Sequence, residues 1–566
     1  MTNNYTTIIV VFIGAVAALF AWSKSREQRL IQRLQREWGQ FPQSYRNDSE
    51  ASLEEAYAAQ KKLTKYDSRI DDLTWHDLDM FRVFNQINAT HSSVGSERLF
   101  GQLHSFNFGD AAKREPLIDF FTQHPQERLK IQTDFAHLGR VDHNQSQNYL
   151  LHTTESNLQG IAKYVVMAAI PLVSLITLGV SWLLRATPVI VAFPFAGIIL
   201  LFSALFNIIY YQKQKTVLEA KMISMSYLVR TIVTSKKLAK VATPSQAQIK
   251  KNLGPLAAIT QFAFAFRTTD ASDMGFLMDY LNGLFMLPFI AYNFVLKRLQ
   301  NQHAAALDLW TTVGDLEAAI AIANYRLAAG NTCIPVFRKG SVTAEGLIHP
   351  LLPNAVDNPV NWRRNTIITG SNASGKSTYV KSVAVNCILA QTINTCTAKS
   401  FTLQAGHVIT AMAVQDNLAE GDSYFVSEIK AIKRLLDLVA TGQHCYGFVD
   451  EILKGTNTVE RIAASASVVA WLNQFPSLVM IATHDNELTE MLADSCDNWH
   501  FQETVTKDHG VEFDYQLHQG PATSHNAIAL LGTMDYPESL IHEANQLADE
   551  FEQTKSWPKV PVAQPE

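Results

Sequence analysis

The chain has 566 residues, too many for a single hydrophobic core, and we expect about three or four structural units. Its net charge of -5 excludes the overall basic excess that is typical of chains dedicated to nucleic acid. Charged residues make up 17% of the chain and hydrophobic residues 47%, so apolar residues must be concentrated in particular segments. The five cysteines form no Cys-x-x-Cys pair, which argues against a zinc centre or a disulfide framework.

The first apolar segment covers residues 6–22 and is followed by basic side chains. A secretory signal carries its positive charge before the apolar run, whereas the first five residues here have no basic side chain. The positive-inside rule therefore predicts an uncleaved transmembrane anchor over residues 1–23, with its N-terminus outside the cell. Cleavage near residues 15–17 is the alternative. Residues 24–66 are predicted to be a basic juxtamembrane helix that either lies on anionic lipid or extends the anchor into solvent.

A second apolar zone contains two runs, residues 164–184 and 189–211, that are each long enough to span a bilayer. Lys163 precedes the pair and Lys213 follows it, so both flanks are expected inside the cell. We predict a transmembrane hairpin over residues 161–212, which brings the number of spans to three. A hairpin buried in a soluble core is the alternative.

The segments on either side of this hairpin have apolar residues at spacings of three and four, which is typical of helices. Residues 67–160 and 213–332 are therefore predicted as the two parts of an all-helical core. The stretch 275–296 is apolar enough to suggest a fourth span. Because Asp279 and Asn282 interrupt it, we interpret it as a core helix.

The most informative stretch is GSNASGKS at residues 370–377. An apolar β-type run precedes it and a helical pattern follows it, which is the order of a nucleotide-binding P-loop. The glycines allow successive backbone N–H groups to point at phosphate oxygens, and the helix start adds the positive end of its dipole. A glycine-rich turn that only packs is the alternative. The nucleotide-binding residues predicted here are Gly370, Ser371, Asn372, Ala373, Ser374, Gly375, Lys376, Ser377 and Thr378.

Within this loop, Lys376 is expected to reach the β- and γ-phosphates and Ser377 to ligate Mg²⁺. Two later apolar strands also end in polar residues. One of them ends in Asp450 and Glu451. Asp450 is expected to hold Mg²⁺ through water, and Glu451 to orient or deprotonate the attacking water. The other delivers His484, which is either structural or in contact with the γ-phosphate.

Two segments offer additional nucleotide contacts. Ser423 lies at the start of a predicted helix, where its hydroxyl either caps that helix or binds the phosphates of a second nucleotide. Residues 349–352 and 356–358, the latter including Asn358, lie just before the P-loop strand. They are well placed to cover an adenine.

These motifs, in this order, resemble the ATPase domain of MutS proteins over roughly residues 335–550. The matching pieces are HPLL at 349–352 with Asn358, the loop at 370–378, SYF at 423–425 with Glu428, Asp450 and Glu451 with GTN at 455–457, and ATH at 482–484. Residues 77–99 and 314–318 look like the MutS helical core. The chain looks closest to the membrane-anchored MutS-like proteins of bacteria.

The resemblance implies a homodimeric ATPase of the ABC/MutS class that uses ATP and Mg²⁺. Each composite site would combine the P-loop of one subunit with Ser423 of the other, and residues 455–457 would cross the dimer seam. The site residues that it implies are Lys376, Glu451 and His484 for catalysis, Asn358 and Ser423 for nucleotide binding, and Ser377 and Asp450 for the metal.

Several departures from the family argue against mismatch repair itself. Only about forty residues lie between the anchor and the core, and we expect these to be too few for the domain that reads mismatches in the repair enzymes. The triplet Phe501-Gln502-Glu503 falls inside the ATPase domain and is rejected as a mismatch reader. Lys454 stands where the repair enzymes carry Gly-Arg before Gly-Thr, and Tyr424 replaces a threonine.

The sequence thus predicts an α/β P-loop ATPase domain of the ABC/MutS type, an all-α region like the MutS core, and three transmembrane helices. The ATPase domain is placed at residues 333–552, and residues 553–566 are predicted to be a tail. We expect a multi-pass protein of the inner cell membrane with a cytoplasmic ATPase domain. Its expected partners are a second copy of the chain, the lipid bilayer and an unidentified protein, with DNA as a candidate. An ABC-type transport ATPase and an ATP-binding membrane scaffold without a DNA role are the alternatives.

Overall fold

The computed structural model of the chain describes residues 2–43, 48–61, 65–151, 158, 160–184, 187–266, 273–352, 354–371, 374–412, 424–506, 510–522, 528, 531, 536–554 and 556–560. The chain divides into two compact units. The first comprises Met1–Tyr66, Phe84–Leu103 and Ala112–Ala328, and the second comprises Asp67–Val83, His104–Ala111 and Ala329–Glu566.

Most of the described chain is helical, as the sequence predicts. The helices are α1 (Thr2–Glu37), α2 (Glu50–Lys61), α3 (Asp72–Asp77), α4 (Met80–Ile87), α5 (Ser93–His104), α6 (Asp110–Lys113), α7 (Glu115–Gln123), α8 (Pro125–Leu138), α9 (Ser146–Leu151), α10 (Ile161–Leu184), α11 (Thr187–Val217), α12 (Glu219–Leu238), α13 (Gln246–Leu253), a 3-10 helix (Gly254–Phe266), α14 (Asp273–Phe285), α15 (Leu287–Asn301), α16 (His303–Ala329), α17 (Lys376–Ile393), α18 (Tyr424–Ala440), α19 (Thr458–Leu472), α20 (Glu487–Met491) and α21 (Glu538–Thr554).

The strands of the described residues all fall in the second unit. They are β1 (Ser68–Arg69), β2 (Ser105–Phe106), β3 (Val336–Phe337), β4 (Val342–Leu347), β5 (Asn358–Trp362), β6 (Thr366–Thr369), β7 (Ser400–Leu403), β8 (His407–Ala411), β9 (Cys445–Asp450), β10 (Leu478–Ala482), β11 (Asp497–His500), β12 (Glu503–Thr506), β13 (Gly510–Phe513) and β14 (His518–Gln519). The largest sheet has six strands in the order β14-β11-β6-β10-β9-β8, and a mixed four-stranded sheet has the order β3-β7-β4-β5.

The sequence predicts one core helix in the stretch 275–296, and the first unit departs from this expectation. This stretch forms two helices rather than one, because Met286 adopts a left-handed conformation with φ 52° between α14 and α15. Pro288 lies in the first turn of α15, where its missing N–H group does no harm, although it would break a continuous helix. The part interpreted as core is buried in α15, where Phe289 and Tyr292 have no exposed surface.

Two helices in the described part of the chain are long and apolar enough to cross a membrane, namely Ile161–Leu183 and Pro194–Val217. Only 22% and 17% of these spans are buried by the rest of the protein, so their apolar side chains are not covered as in a soluble core. The predicted first span lies in α1, which runs without a break from Thr2 to Glu37 and is not among these candidates.

The central strands of the six-stranded sheet run parallel, and β14 alone is antiparallel to its neighbour. Every residue of strands β6 and β10 is buried, as expected for strands covered on both faces. Leu435 of α18 and Val469 of α19 pack in one apolar cluster with Ile481 of β10, and all three are buried. These contacts hold the carboxyl ends of the parallel strands along one edge.

Candidate functional site

The site is assembled where β6, β9 and β10 end. Ala482 at the end of β10 is paired with Ile368 of β6 on one side and with Asp450 of β9 on the other. The backbone ladder continues one residue further, because the N–H of Glu451 donates to the carbonyl of Ala482 at 2.8 Å. Residues that follow these three strands are therefore brought together although they lie far apart in the sequence.

The glycine-rich loop between β6 and α17 depends on its first glycine. Gly370 has φ 134°, and a Cβ atom added to it would lie 2.5 Å from the carbonyl oxygen of Phe501. Both the backbone conformation and the space therefore exclude a side chain. The Ser374 hydroxyl donates to the Ser371 carbonyl at 2.8 Å, and the Ser371 hydroxyl donates to the Glu503 carboxylate at 2.9 Å.

Two of the predicted loop residues, Asn372 and Ala373, lie outside the described residues. Ser423 does too, together with the segment around it. The role predicted for each of these three residues stays a prediction.

Lys376 is the first residue of α17 and only 2% of its surface is exposed. Its Nζ donates to the carbonyl oxygens of Gly370 at 2.6 Å and Ser371 at 2.8 Å, so the ammonium lies beneath the loop. Burial lowers the pKa of Lys376 to about 8, and the negative charges of Asp450 and Glu451 oppose that change. At neutral pH the buried cation remains mostly protonated.

Two oxygen-bearing groups beside Lys376 make no hydrogen bond or ion pair within the part of the chain that the structure describes. Ser377 lies in the first turn of α17, and its hydroxyl is one of them. The other is the carboxylate of Asp450 at the end of β9. A free hydroxyl and a free carboxylate are the kinds of ligand that Mg²⁺ accepts alongside water and phosphate oxygens.

Glu451 is held by partners on both of its carboxylate oxygens. His484 Nε2 lies 3.1 Å from Oε1, and Lys454 Nζ lies 2.9 Å from Oε2. The hydrogen bond from His484 and, after it, the interaction with Lys454 together lower the pKa of Glu451 to about 2, against the opposing effect of burial. Glu451 also has φ 62°, which is uncommon for a residue with a side chain and is often associated with functional sites.

A second set of contacts positions these groups. Arg461 of α19 forms a two-pronged ion pair with Asp485, at 2.9 Å and 2.6 Å, directly after His484. Glu428 of α18, which is 4% exposed, accepts from the backbone N–H groups of Lys454 at 2.8 Å and Gly455 at 3.3 Å. The turn that carries Glu451 and Lys454 is therefore tied to α18.

A cavity of about 630 Å³ opens beside the start of α17 and is mostly apolar. It is lined by Leu347, Ile348, His349, Leu352, Asn354, Ala355, Val356, Asn358, Gly375, Ser377, Thr378, Tyr379, Ser382, Phe501 and Tyr515. The two segments predicted to cover an adenine both contribute to it. Burial lowers the pKa of His349 to about 4, so its ring is neutral in this wall.

Asn358 lines this cavity, and its role in nucleotide binding stays a prediction. Its side-chain amide donates to the carbonyl of Tyr515 at 2.9 Å and accepts from the N–H of Leu517 at 2.8 Å. It therefore braces the segment that carries Tyr515, and it reaches a ligand only as part of the cavity wall. Sequence reasoning did not single out Arg461 or Tyr515, because neither lies in a local motif and both arrive through tertiary contacts.

The geometry defines a class of protein, an α/β domain in which a glycine-rich loop joins a central parallel strand to a helix and carboxylates end the neighbouring strands. In comparisons with known proteins, residues 366–552 match the family described as MutS domain V. A protein of Haloarcula marismortui called DNA mismatch repair protein MutS 2 is 31% identical over 230 residues, which cover 39% of this chain and 22% of that protein.

A protein of Natronomonas pharaonis called DNA mismatch repair protein MutS is 30% identical over 247 residues, covering 42% of this chain and 28% of that protein. A protein of the same name from Aquifex pyrophilus is 30% identical over 198 residues, 34% of this chain and 23% of that protein. This chain thus matches less than a third of the length of these relatives. It is a MutS-like protein, with MutS domain V over residues 366–552.

The loop geometry predicts that Gly370→Ala destabilises the protein by roughly 2–4 kcal/mol, because the new Cβ meets backbone rather than a flexible side chain. Thermal and denaturant unfolding of the purified protein in detergent would measure the loss. Gly442→Ala is the matched control. Gly442 also has positive φ, at 73°, but has open space around its Cβ position, so we expect a loss of only about 1 kcal/mol. Equal losses in the two variants would contradict the role of the Phe501 contact.

Proposed function

We propose that this chain is a membrane-tethered MutS-like ATPase that binds Mg²⁺-ATP at its P-loop and uses hydrolysis at a homodimer interface to change conformation. The observation that carries the proposal is the convergence of a buried lysine, a free carboxylate and a histidine-bound glutamate at the ends of adjacent parallel strands. These are Lys376, Asp450 and Glu451. The match of residues 366–552 to MutS domain V supports the same assignment.

The cavity beside α17 has the size and apolar lining of a nucleoside site, and it adjoins the loop that would receive phosphates. The start of α17 presents backbone N–H groups and the positive end of the helix dipole to an anion. Lys376 would exchange its bonds to the carbonyls of Gly370 and Ser371 for bonds to phosphate oxygens. Because the lysine is already buried, little of its hydration would remain to be removed on binding.

The proposed Mg²⁺ site fits the residues present. Ser377 and Asp450 each offer an oxygen without a partner among the described residues, and Mg²⁺ typically takes one or two protein ligands in addition to phosphates and water. In the described part of the chain no group of three or more His, Cys, Asp and Glu side chains could hold a metal on its own. The ion would supply charge neutralisation for the phosphates when bound.

Glu451 is the proposed base, and its two partners limit what it can do. A carboxylate with a pKa of about 2 is fully ionised at neutral pH but is a weak proton acceptor. Each of its oxygens already accepts one hydrogen bond, and the loss of one partner would make the carboxylate more basic toward an attacking water. The side chain of Lys454 is 56% exposed, and an exposed ion pair is easily exchanged for water. We therefore infer that Lys454 releases Glu451 while His484 continues to orient it.

The dimer is proposed from the family resemblance, with Ser423 of a second copy completing each site. DNA is the candidate partner beyond the dimer, because the relatives are called DNA mismatch repair proteins. An unidentified protein is the other proposed partner. The names of these relatives give no support to the alternative of an ABC-type transport ATPase.

The membrane part of the proposal rests on α10 and α11, whose apolar side chains are left exposed. Val166, Ile176 and Leu201, for example, are 58%, 57% and 60% exposed. We propose that α1 adds a third span, that the protein lies in the inner cell membrane with its N-terminus outside, and that domain V is cytoplasmic.

Replacing Lys376 and Glu451 separates binding from hydrolysis. Lys376→Ala should weaken ATP binding at least about tenfold, because the buried cation is lost from the phosphate site. Glu451→Gln should still bind ATP, lose hydrolysis by about 10²-fold or more, and accumulate as an ATP-bound dimer. Nucleotide binding, phosphate release and light scattering in detergent measure these effects. Glu490→Gln, an exposed position in α20, is the control. A Glu451→Gln rate equal to that of the unmodified protein would refute the assignment.

Lys454→Met tests the release step. Without the lysine, the pKa of Glu451 rises from about 2 toward its ordinary value and one oxygen becomes free, so kcat at neutral pH should increase severalfold with KM for ATP unchanged. No acid limb from Glu451 should appear above pH 5, because the carboxylate stays ionised there in both proteins. Lys433→Met removes a similar exposed i,i+4 pair on α18 and should leave kcat unchanged. A lower kcat in Lys454→Met would show that the lysine assists instead.

Single added cysteines test the membrane topology. In intact cells a membrane-impermeant maleimide should label Asn3→Cys and Ala186→Cys but should label Ser25→Cys only after permeabilisation. The native cysteines lie at or after residue 333 on the proposed inner side, and four of the five are buried. Protection of Ala186→Cys would rule out the spanning hairpin, and protection of Asn3→Cys alone would rule out the first span.

A further inference from the structure

An open cleft lies at the amino-terminal edge of the six-stranded sheet, where the turns that lead into β6, β9 and β10 meet. It has a volume of about 1210 Å³ and belongs entirely to the second unit. The glycine-rich loop follows the other end of β6, so the proposed nucleotide site does not use this cleft. Because these strands run parallel, their carboxyl ends lie together at one edge of the sheet, and their amino ends lie together at the edge that forms this cleft.

The charge of this cleft has one sign. Arg338, Lys339, Arg363 and Arg364 line it, and no aspartate or glutamate is among its lining residues in the part of the chain that the structure describes. This is unexpected in a chain whose net charge is -5. All four basic residues are exposed, and they come from two separate turns, one before β4 and one before β6.

Three of these four cations have no carboxylate partner among the described residues. Arg364 is the exception, because its Nε lies 2.6 Å from Asp497. The Nε of Arg363 donates only to the neutral amide oxygen of Asn361, at 3.0 Å. Within the described ranges, Arg338 and Lys339 have no ion pair. Three positive charges that face one concavity without counter-charges favour an anionic occupant.

A buried polar group in the same cleft is also left without a partner. Ser477, in the turn before β10, is 7% exposed, and its hydroxyl makes no hydrogen bond to any described residue. A buried hydroxyl of this kind normally has a partner, because leaving it unpaired is destabilising. Rotation of the Ser477 side chain toward the cleft would allow a bound ligand to supply the missing acceptor.

We propose that this cleft, which we call the basic cleft, binds a compact phosphate compound that carries several negative charges. Arginine side chains from two turns can grip phosphate oxygens from two sides, and the Ser477 hydroxyl can donate from the floor. A single strand of nucleic acid is less suited, because it typically stacks on a series of aromatic rings, and Phe475 and His444 are the only rings among the described residues that line the cleft. The source of the phosphate is either a soluble oligophosphate or the headgroup of a phosphorylated lipid.

The proposal does not depend on ATP hydrolysis, and the test uses full-length protein that carries Lys376→Ala, so that the P-loop does not contribute. Calorimetry at low ionic strength would measure binding of inorganic tripolyphosphate and of short-chain dioctanoyl phosphatidylinositol phosphate. Replacing Arg338, Lys339 and Arg363 together by glutamine should weaken binding at least about tenfold, and Ser477→Ala should weaken it severalfold. The exposed Lys433→Gln is the control and should bind as before.

The two probes distinguish the sources of the phosphate. Binding of tripolyphosphate that the triple glutamine variant loses supports a soluble ligand. Binding of the lipid alone, lost in the same variant, supports a headgroup. Because the substituted side chains are exposed, the triple variant should keep its unfolding temperature. When position 376 is again lysine, the triple variant should also keep the ATPase rate of the unmodified protein. Binding that the triple variant retains, no binding of either probe, or binding only of a single-stranded oligonucleotide would overturn the proposal.

Discussion

The parallel pairing of β6, β9 and β10 is the constraint on which the candidate site depends. Because Ala482 pairs with both Ile368 and Asp450, the residues after these strands must share one edge of the sheet. A shift of one residue in this register would turn the side chains of a strand to the other face. The apolar cluster under the sheet, including Leu435 and Ile481, resists such a shift. Packing far from the loop therefore determines the geometry of the site.

The glycine-rich loop contains a buried charge and close backbone contacts, and the packed sheet must keep both in place. Lys376 is buried as a cation against carbonyl oxygens, and Gly370 approaches the backbone of Phe501 too closely for any side chain. A charge in such surroundings is normally costly, but nearby carboxylates and the loop carbonyls offset the loss of water. An arrangement of this kind is suited to accept an anion, because the cation and the N–H groups of α17 are already in position.

The turn after β9 contains one of the departures from the repair enzymes that the sequence predicts. Lys454 follows Glu451 by three residues and pairs with it, while Glu428 holds the backbone of the same turn. The glutamate is therefore restrained on two sides, by His484 and by the more exposed Lys454. A residue in this turn can thus act on Glu451 without altering the sheet, the loop or the cavity.

The sequence by itself determined the glycine-rich loop, the carboxylates Asp450 and Glu451, and the mostly helical character of the chain, because each of these is written in local spacing and residue type. It also identified the exposed apolar hairpin from run length alone. Only the tertiary structure decided that Asn358 braces the segment at Tyr515 and that Met286 divides α14 from α15. It alone supplied Arg461 and assembled the basic cleft. Apart from the local break at Met286, these features join residues from separate segments, and no local pattern records which segments a fold will bring together.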